Sequence, residues 1–401
     1  MLHGRCNLPG IVFARLCRVR LHTRLLIVSE LRLSIPVKIP FLDLAERTRA
    51  LRAPLDEAYR SVMASGRFIQ GPHLESFESN FAKYCESKVC VGVGNGLDAL
   101  SLILQGYQIG PGDEVIVPSN TYIATWLAIS AVGATPVPVE PHPRTWNLDV
   151  AAMNAAMTQR SRAVIAVHLY GQCAEMRELR AFATQHDIKL IEDAAQAVGG
   201  RLEGKPAGSW GDAAAFSFFP TKNLGAFGDG GAVVSNDSAL ADRVRRLGSY
   251  GGLERNEHEM IGRNSRLDEL QAAFLDACLP FLERDNRQRR HLASLYEKRF
   301  AGSTGITMQE VPPSVEPTWH LFPVRVANRD RVCKELEKKG IGTAIHYPLP
   351  PNLSAAYREH GIATQPIAEA MARELLSLPL HPHLTDVEVE TVCGALLKAV
   401  G

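Results

Sequence analysis

The sequence has no long hydrophobic run. No stretch of its 401 residues approaches the roughly 18 apolar residues that a membrane-spanning helix needs, so no membrane partner is expected. Net charge is almost absent. Lys and Arg number 44 against 43 Asp and Glu, for a formal +1, which leaves no electrostatic footprint for nucleic acid. Cysteine is sparse. The eight stand at 6, 17, 85, 90, 173, 278, 333 and 393, with no CxxC pair and no Cys/His cluster at zinc spacing. That usage argues against a disulfide scaffold and a metal site, and fits reduced thiols in a cytoplasmic protein. Internal repeats and low-complexity linkers are also missing. What remains is ordinary globular usage, 46% hydrophobic and 22% charged, which excludes a disordered or collagen-like chain.

The charge is unevenly spread. Residues 1–38 carry Arg5, Arg15, Arg18, Arg20, Arg24, Arg32 and Lys38 against the single acid Glu30. The body is therefore mildly acidic, and its head offsets it. An Arg-rich, acid-poor head has the composition of an organelle-targeting leader. A secretory signal fits less well, because Arg18, Arg20 and Arg24 interrupt any apolar core. The text IPFLDL at 39–44 reads as a fresh beginning. The preferred expectation is that residues 1–38 are a disordered extension or a start-site artefact.

From about residue 88, strand-like and helix-like runs alternate. Val89–Val93, Glu114–Val117, Thr135–Val139, Ala163–Leu169, Lys189–Ile191, Ala214–Phe219 and Gly231–Ser235 read as strands. Pro136 and Pro138 place the third at a sheet edge. Leu97–Gln105, Tyr122–Val132 and Ala174–His186 read as helices between them. The alternation predicts an α/β fold, with a mainly parallel sheet between helices. Helical text dominates from Leu267 to Phe300. Residues 319–326 and 343–347 read as strands of a smaller α+β unit. The expected organisation is a large domain over 39–280 and a small C-terminal domain over 281–401.

Asp193, in LIEDAAQ, and Lys222, in FFPTKNLG, each fall just past a predicted strand. Open parallel sheets bind ligands at the carboxyl ends of their strands. Taken alone, Lys222 reads as a loop lysine and Asp193 as a helix N-cap. Together they are the pair that pyridoxal phosphate requires. The lysine forms a Schiff base with the aldehyde, and the acid keeps the pyridinium nitrogen protonated so that the ring acts as an electron sink.

A phosphate site is also written into the chain. VGVGNGLDAL, at 91–100, runs from a strand through glycines into a helix, where free amides uncrowded by side chains hold an anion. The third glycine of a dinucleotide fingerprint falls on Leu97, which disfavours a nicotinamide enzyme. No Lys-Ser/Thr follows, as a P-loop would require. Tyr122 stands where an aromatic stacks on a flat ring, although in isolation it reads equally as a surface or core aromatic. Ser217, on the strand leading to Lys222, is a second phosphate donor, although a serine bonded to backbone is the commoner case.

From about Ile39 onward the chain resembles the DegT/DnrJ/StrS family of sugar-nucleotide aminotransferases. The resemblance rests on GRFIQGPHLESFE (66–78), VGNGLDAL (93–100), GDEVIVPSNTYIATWLAI (112–129), VHLYGQ (167–172), IEDAAQA (191–197), AAFSFFPTKNLGAFGDGGAVV (214–234), NSRLDELQAAFL (264–275) and IHYPLPP (345–351). It implies the fold-type I aminotransferase architecture, with a seven-stranded sheet, and a homodimer. It also implies roles for particular residues. Lys222 is the Schiff-base lysine and proton shuttle, Asp193 pairs with the pyridine nitrogen, and Gln196 meets the ring hydroxyl. Gly96 and Leu97 offer amides to the phosphate, joined by Ser217. Asn264 reaches the phosphate across the dimer, and Tyr122 covers the ring. His168, His346 and Tyr347 are sugar-pocket candidates, and Arg67 and Phe68 lie near the nucleotide. Two departures stand out. Leu97 replaces the threonine of many members, and Arg263 replaces the aromatic often found before the asparagine.

The implied reaction takes an amino group from glutamate and delivers it to a nucleotide-linked keto sugar. The GLDAL text points to a dTDP-3-keto-6-deoxyhexose, giving a dTDP-3-amino-3,6-dideoxyhexose for polysaccharide or O-antigen synthesis. A 4-keto sugar aminotransferase is the nearest alternative, and a non-catalytic regulatory protein that binds the cofactor is another. Relatives that dehydrate the sugar with histidine in place of the lysine are excluded by Lys222. The iron–sulfur type needs a cysteine cluster, and the wide cysteine spacing gives no support for one.

Overall fold

A computed structural model of the chain describes residues 38–254 and 256–401. The expectation for the basic head falls almost wholly outside the described residues. Apolar runs bounded by glycine and proline form the strands β1 (Val89–Val93), β2 (Glu114–Pro118), β3 (Thr135–Val139), β4 (Ser161–Val167) and β5 (Lys189–Asp193). A short hairpin follows, β6 (Arg201–Leu202) and β7 (Lys205–Pro206), then β8 (Ala213–Ser217) and β9 (Gly231–Ser235). The C-terminal part adds β10 (Ile306–Met308), β11 (Val315–Glu316), β12 (Phe322–Val326) and β13 (Leu375–Leu378).

The large sheet has seven strands in the order β1-β9-β8-β5-β4-β2-β3. β2, β3, β4, β5 and β8 run parallel, and β9 lies antiparallel between β1 and β8. The proline-bearing β3 is at an edge, as its missing donors require. β2 and most of β4 are buried on both faces, which explains continuous apolar text in place of alternation. One helix covering the sheet, Gly96–Gly106, is apolar almost all round and correspondingly buried.

The second sheet, β10-β12-β13, is antiparallel. It packs with the long helix Leu282–Phe300 and the C-terminal helix Asp386–Val400 into a separate core that also takes in Ile39. Pro280 breaks the expected helical stretch, so Glu269–Cys278 and Leu282–Phe300 are joined by a single 3-10 turn. One strand expectation fails. Residues 343–347 form only an isolated bridge, Ala344 to Ser377, because the backbone then peels away to bring His346 and Tyr347 toward the large sheet. The strand expected at 319–326 begins only at Phe322, after Trp319 turns through a positive φ of 48°.

Parallel strands deliver their carboxyl ends to one rim of the sheet, and there the chemistry collects. β5 ends on Asp193 and β8 on Ser217, and β4 hands over directly to His168. Gly231 pairs with both Val93 and Ser217, which draws the loop after β1 onto the end of β8. A Cβ on Gly231 would lie 2.5 Å from the Asn95 carbonyl carbon, so only glycine allows that approach.

Candidate active site

Asp193 is buried at the end of β5. Thr125 Oγ1 donates to its Oδ2 at 2.8 Å, and the Ala195 amide donates to Oδ1 at 3.2 Å. Burial pushes the carboxyl up. The Thr125 hydroxyl, the Ala195 amide, the Lys222 ammonium and the neighbouring His168 ring work against that, and the net shift is upward. Lys222 lies in the turn after β8, where its amide donates to the Phe219 carbonyl at 2.8 Å. Burial lowers its ammonium from 10.5 to about 8, against the pull of Asp193. The two groups feel each other's charge, and each is displaced toward its neutral form by lost hydration.

The Lys222 turn is held from outside. Arg47 donates to the Pro220 carbonyl at 3.2 Å and to the Gly225 carbonyl. Asn223 donates to Asn286 Oδ1 at 2.8 Å and to the Thr318 carbonyl at 3.1 Å, and its own Oδ1 lies 3.2 Å from His320 Nδ1. Asn286 in turn donates to the Val198 carbonyl at 3.0 Å. The turn carrying Lys222 and the segment following Asp193 are thus tied to one side chain of the long helix.

The glycine-containing loop forms an anion cradle. Asn95 caps the helix Gly96–Gly106 by accepting the Asp98 amide at 2.8 Å. Among the described residues, no side chain takes the Gly96 or Leu97 amide. A Cβ on Gly96 would lie 2.8 Å from Ser217 Cβ, so the loop rests directly on the serine. Amides at a helix start beside a hydroxyl suit a phosphate, Asp193 suits a protonated ring nitrogen, and Lys222 supplies the amine. These residues fit pyridoxal phosphate.

Around them stand aromatics. Tyr122 is 51% exposed, with its ring 4.9 Å from that of Tyr347. Gln196 Nε2 donates to the Tyr347 hydroxyl at 2.9 Å, while its Oε1 accepts the Tyr170 amide at 2.6 Å. Both ends of the Gln196 amide are therefore engaged by protein. His346 bonds Ser377 at 2.9 Å and stacks on Phe41 at 5.7 Å, and burial beside Lys222 lowers it to about 4.

His168 requires a correction. It is fully buried, with Nε2 2.9 Å from Glu192 and Nδ1 accepting the Ala174 amide at 3.1 Å. With both nitrogens taken and no exposed surface, it supports the sheet rim beneath Asp193 and does not line a sugar pocket. Its own amide donates to the Asp193 carbonyl at 3.0 Å.

Arg67, Phe68 and Asn264 are exposed and share another neighbourhood. Arg67 donates to the Gln70 carbonyl at 2.9 Å, Gln70 donates to Ser249 at 3.0 Å, and Ser249 bridges to Asn264. None of the three hydrogen-bonds to Asp193, Gln196, Lys222 or Tyr347. Arg263, beside Asn264, lies 3.8 Å from Asp98. Ser265, the next residue, accepts the Gly94 amide at 3.0 Å and donates to Asp98 at 2.7 Å, which ties this surface to the phosphate-type loop.

The sequence reading did not find Thr125, Asn223 or His320. Thr125 lies one helical turn after Thr121 in a predicted helix, the one signal that could have placed it on the rim. His320 lies in strand-like text that gives no reason to expect Asn223 beside it.

Comparison with known proteins adds a lineage. The profile described as the DegT/DnrJ/EryC1/StrS aminotransferase family matches residues 50–397. A dTDP-3-amino-3,4,6-trideoxy-alpha-D-glucose transaminase of Streptomyces venezuelae is 51% identical over 361 residues, covering 90% of this chain and 95% of its own. A dTDP-3-amino-3,6-dideoxy-alpha-D-galactopyranose transaminase of Aneurinibacillus thermoaerophilus is 47% identical over 358 residues, 89% of this chain and 98% of its own. Among solved structures, S. venezuelae DesV in complex with a ketimine intermediate aligns with a TM-score of 0.88 at 49% identity. That alignment covers 90% of this chain and 98% of that one.

Proposed function

The chain belongs to the DegT/DnrJ/EryC1/StrS aminotransferase family, and from that premise we propose that it moves an amino group from glutamate to a nucleotide-linked keto sugar. The acceptor in this reading is a dTDP-3-keto-6-deoxyhexose and the product a dTDP-3-amino sugar. The names of the Streptomyces and Aneurinibacillus relatives, both dTDP-3-amino sugar transaminases, support the 3-position over the 4-position. The observation that carries the reading is the pairing of Asp193 with Lys222 at the ends of β5 and β8, beside the Gly96–Leu97 amides.

Pyridoxal phosphate, when bound, supplies a carbonyl that holds the amine and a ring that accepts electrons. Gly96, Leu97 and Ser217 would hold its phosphate, Asp193 its ring nitrogen, and Tyr122 one face. Asp193, buried and fixed by Thr125, keeps a proton on that nitrogen. Lys222, held by the Arg47 and Asn223 contacts, takes a proton from the donor's α-carbon and returns one to the sugar carbon. An amine lowered to about 8 is a stronger candidate for that work than an ordinary lysine, because a base acts best with a pKa near the working pH. Tyr347 and His346 flank the acceptor. Phe68, Tyr250, Leu253 and Ile261 expose large apolar surface near Asn264, which supports a homodimer in which that asparagine faces the partner. The described cysteines are unpaired, in keeping with a cytoplasmic enzyme.

The test is the visible spectrum of protein mixed with pyridoxal phosphate, before and after L-glutamate. A visible band that bleaches with glutamate, and a Lys222→Ala variant that folds but gives no band and no turnover, are the expected results. Full activity in Lys222→Ala would end the assignment.

A further inference from the structure

Asn286 lies in the long helix Leu282–Phe300 and has no exposed surface. Asparagine is a weak helix former, and a buried amide without partners is costly. Both ends of this amide are used, and on two other parts of the chain. Its Oδ1 accepts from Asn223 Nδ2 at 2.8 Å, and its Nδ2 donates to the Val198 carbonyl at 3.0 Å. Asn223 follows Lys222 directly, and Val198 lies in the segment that leaves the sheet at Asp193. One side chain therefore spans the two segments that carry the amine and its acid partner.

The surroundings are shaped to this span. Gly199 makes room for it, since at its φ of 87° a Cβ would lie 2.6 Å from Asn286 Nδ2. Asn223 has one workable orientation. Its Nδ2 meets two acceptors, Asn286 Oδ1 and the Thr318 carbonyl, so its Oδ1 must receive, and His320 Nδ1 at 3.2 Å is the donor. Thr318 repeats the tie, because its hydroxyl donates to the Gln196 carbonyl at 3.2 Å. Within the turn itself, the Lys222 amide bonds the Phe219 carbonyl at 2.8 Å. The lysine stem is a flexible four-carbon chain, so the place of its amine depends on how the base of that stem is held.

We propose that Asn286 is a positioning residue for Lys222. Acting through Asn223, it sets where the lysine turn stands relative to the segment that begins at Asp193, and so aligns the amine with the carbons between which it moves a proton. The inference rests on the aminotransferase reading and adds to it a residue one hydrogen bond behind the reacting side chain. Misplacing a reacting group by about 1 Å can cost about 100-fold in rate, which is ample effect for a residue that makes no contact with substrate.

The experiment compares Asn286→Ala, Asn223→Ala and the double variant with the parent. Single-turnover rates with L-glutamate should fall roughly 10- to 100-fold in each, with the half-saturating glutamate concentration unchanged. The two losses should not multiply, because both variants cut the same link. A second readout needs no turnover. The pH midpoint for capture of pyridoxal phosphate by cofactor-free protein should rise from about 8 toward 10.5, as the loosened amine regains water. Neither substitution changes a charge. Asp193, His320 and His346 around the amine, and Arg47, Asp285 and Arg289 lining the adjoining cavity, all keep theirs. Folded Asn286→Ala with the parent's rate or the parent's midpoint overturns the proposal, as do losses that multiply in the double variant. If Asn286→Ala does not fold, Asn223→Ala carries the test, since that side chain is partly exposed in a turn and its loss leaves Asn286 on Val198. An unmoved rate and midpoint there overturn the proposal equally. Failure of the parent protein to bleach with any amino acid would instead end the aminotransferase reading, while the capture midpoints still decide the role of Asn286.

Discussion

Thr125 Oγ1 lies 2.8 Å from Asp193 Oδ2, and both residues are buried. The threonine comes from the helix Ile123–Ala131, which follows β2, and the aspartate from β5, so one hydrogen bond reaches past β4 to join two units of the sheet at the point of chemistry. Thr121 extends the chain, with its hydroxyl 2.8 Å from that of Thr125. Burial drives Asp193 toward its acid form, and this bond is the first influence opposing it.

Replacing Thr125 with Val removes that donor at nearly constant volume. The Asp193 carboxyl then rises further, and the carboxylate loses a stabilising donor. A hydrogen bond to a charged group is worth about 1.5–3 kcal/mol, so turnover should fall roughly 10- to 100-fold. Single-turnover rates with glutamate would check this. An unchanged rate would mean that the threonine does not tune the carboxylate.

Lys222 gives a pH signature. Its amine is neutral above about 8, and only the neutral form attacks a carbonyl. Capture of pyridoxal phosphate by cofactor-free protein should therefore accelerate as pH rises toward 8 and level off above it. The stability consequence has a definite sign. Between about 8 and 10.5 the unfolded lysine binds a proton that the folded one does not, so folding stability gained from this group grows with pH across that window. Lys222→Met should remove both the capture and that slope, measured by stopped-flow absorbance and by urea titration.

Glu192 adjoins Asp193 and works quite differently. Fully buried, it accepts from His168 at 2.9 Å and from the amides of Gly208, Trp210 and Gly211 at 2.6 to 2.8 Å. Burial would raise its carboxyl, but His168 and those amides hold it below 4.5. Its contribution is complete above 4.5 and fades as pH drops through the lower folded value. Glu192→Ala strands the donors and should cost about 3–5 kcal/mol in denaturant unfolding, far more at pH 7 than at pH 3. A loss below about 1 kcal/mol would show that the donors find other partners.

Much of the fold could be read in the text because the large sheet obeys local rules. Apolar runs closed by Gly94 and Pro118 are strands, and the prolines of β3 announce an edge. The positions of Asp193 and Lys222 at strand ends were legible because both follow apolar runs. What sequence could not give was partnership over long separations. Thr125 meets Asp193 across 68 positions, and Asn223 meets His320 across 97. His168 was misjudged for the same reason, since its place at a strand end is visible but its closure by Glu192 and Ala174 depends on packing. The segment 343–347 has β-type residues, yet only one bridge holds it, and tertiary contacts to Gln196 and Tyr170 decide its path.

Gly96 offers the sharpest test of the anion cradle. Its requirement is steric, because an added Cβ would sit 2.8 Å from Ser217 Cβ and 3.3 Å from its Cα. Neither atom is a flexible tip. Ser217 is fixed by its ladder to Gly231, and Gly231 is itself pressed against the Asn95 carbonyl. In Gly96→Ala the loop must therefore lift, taking the Gly96 and Leu97 amides with it. Overpacking of this kind costs about 1–3 kcal/mol, so affinity for pyridoxal phosphate should weaken roughly 10- to 100-fold, measured by fluorescence or absorbance titration. Ser217→Ala cannot relieve the clash, since the Cβ is the obstacle, but Ser217→Gly can. Because Ser217→Gly also removes the hydroxyl assigned to the phosphate, the comparison is a cycle: Gly96→Ala should cost less affinity in the Ser217→Gly background than in the parent, a coupling that a merely unstable loop would not produce. If Gly96→Ala costs the same in both backgrounds, the glycine serves some purpose other than close approach to the end of β8.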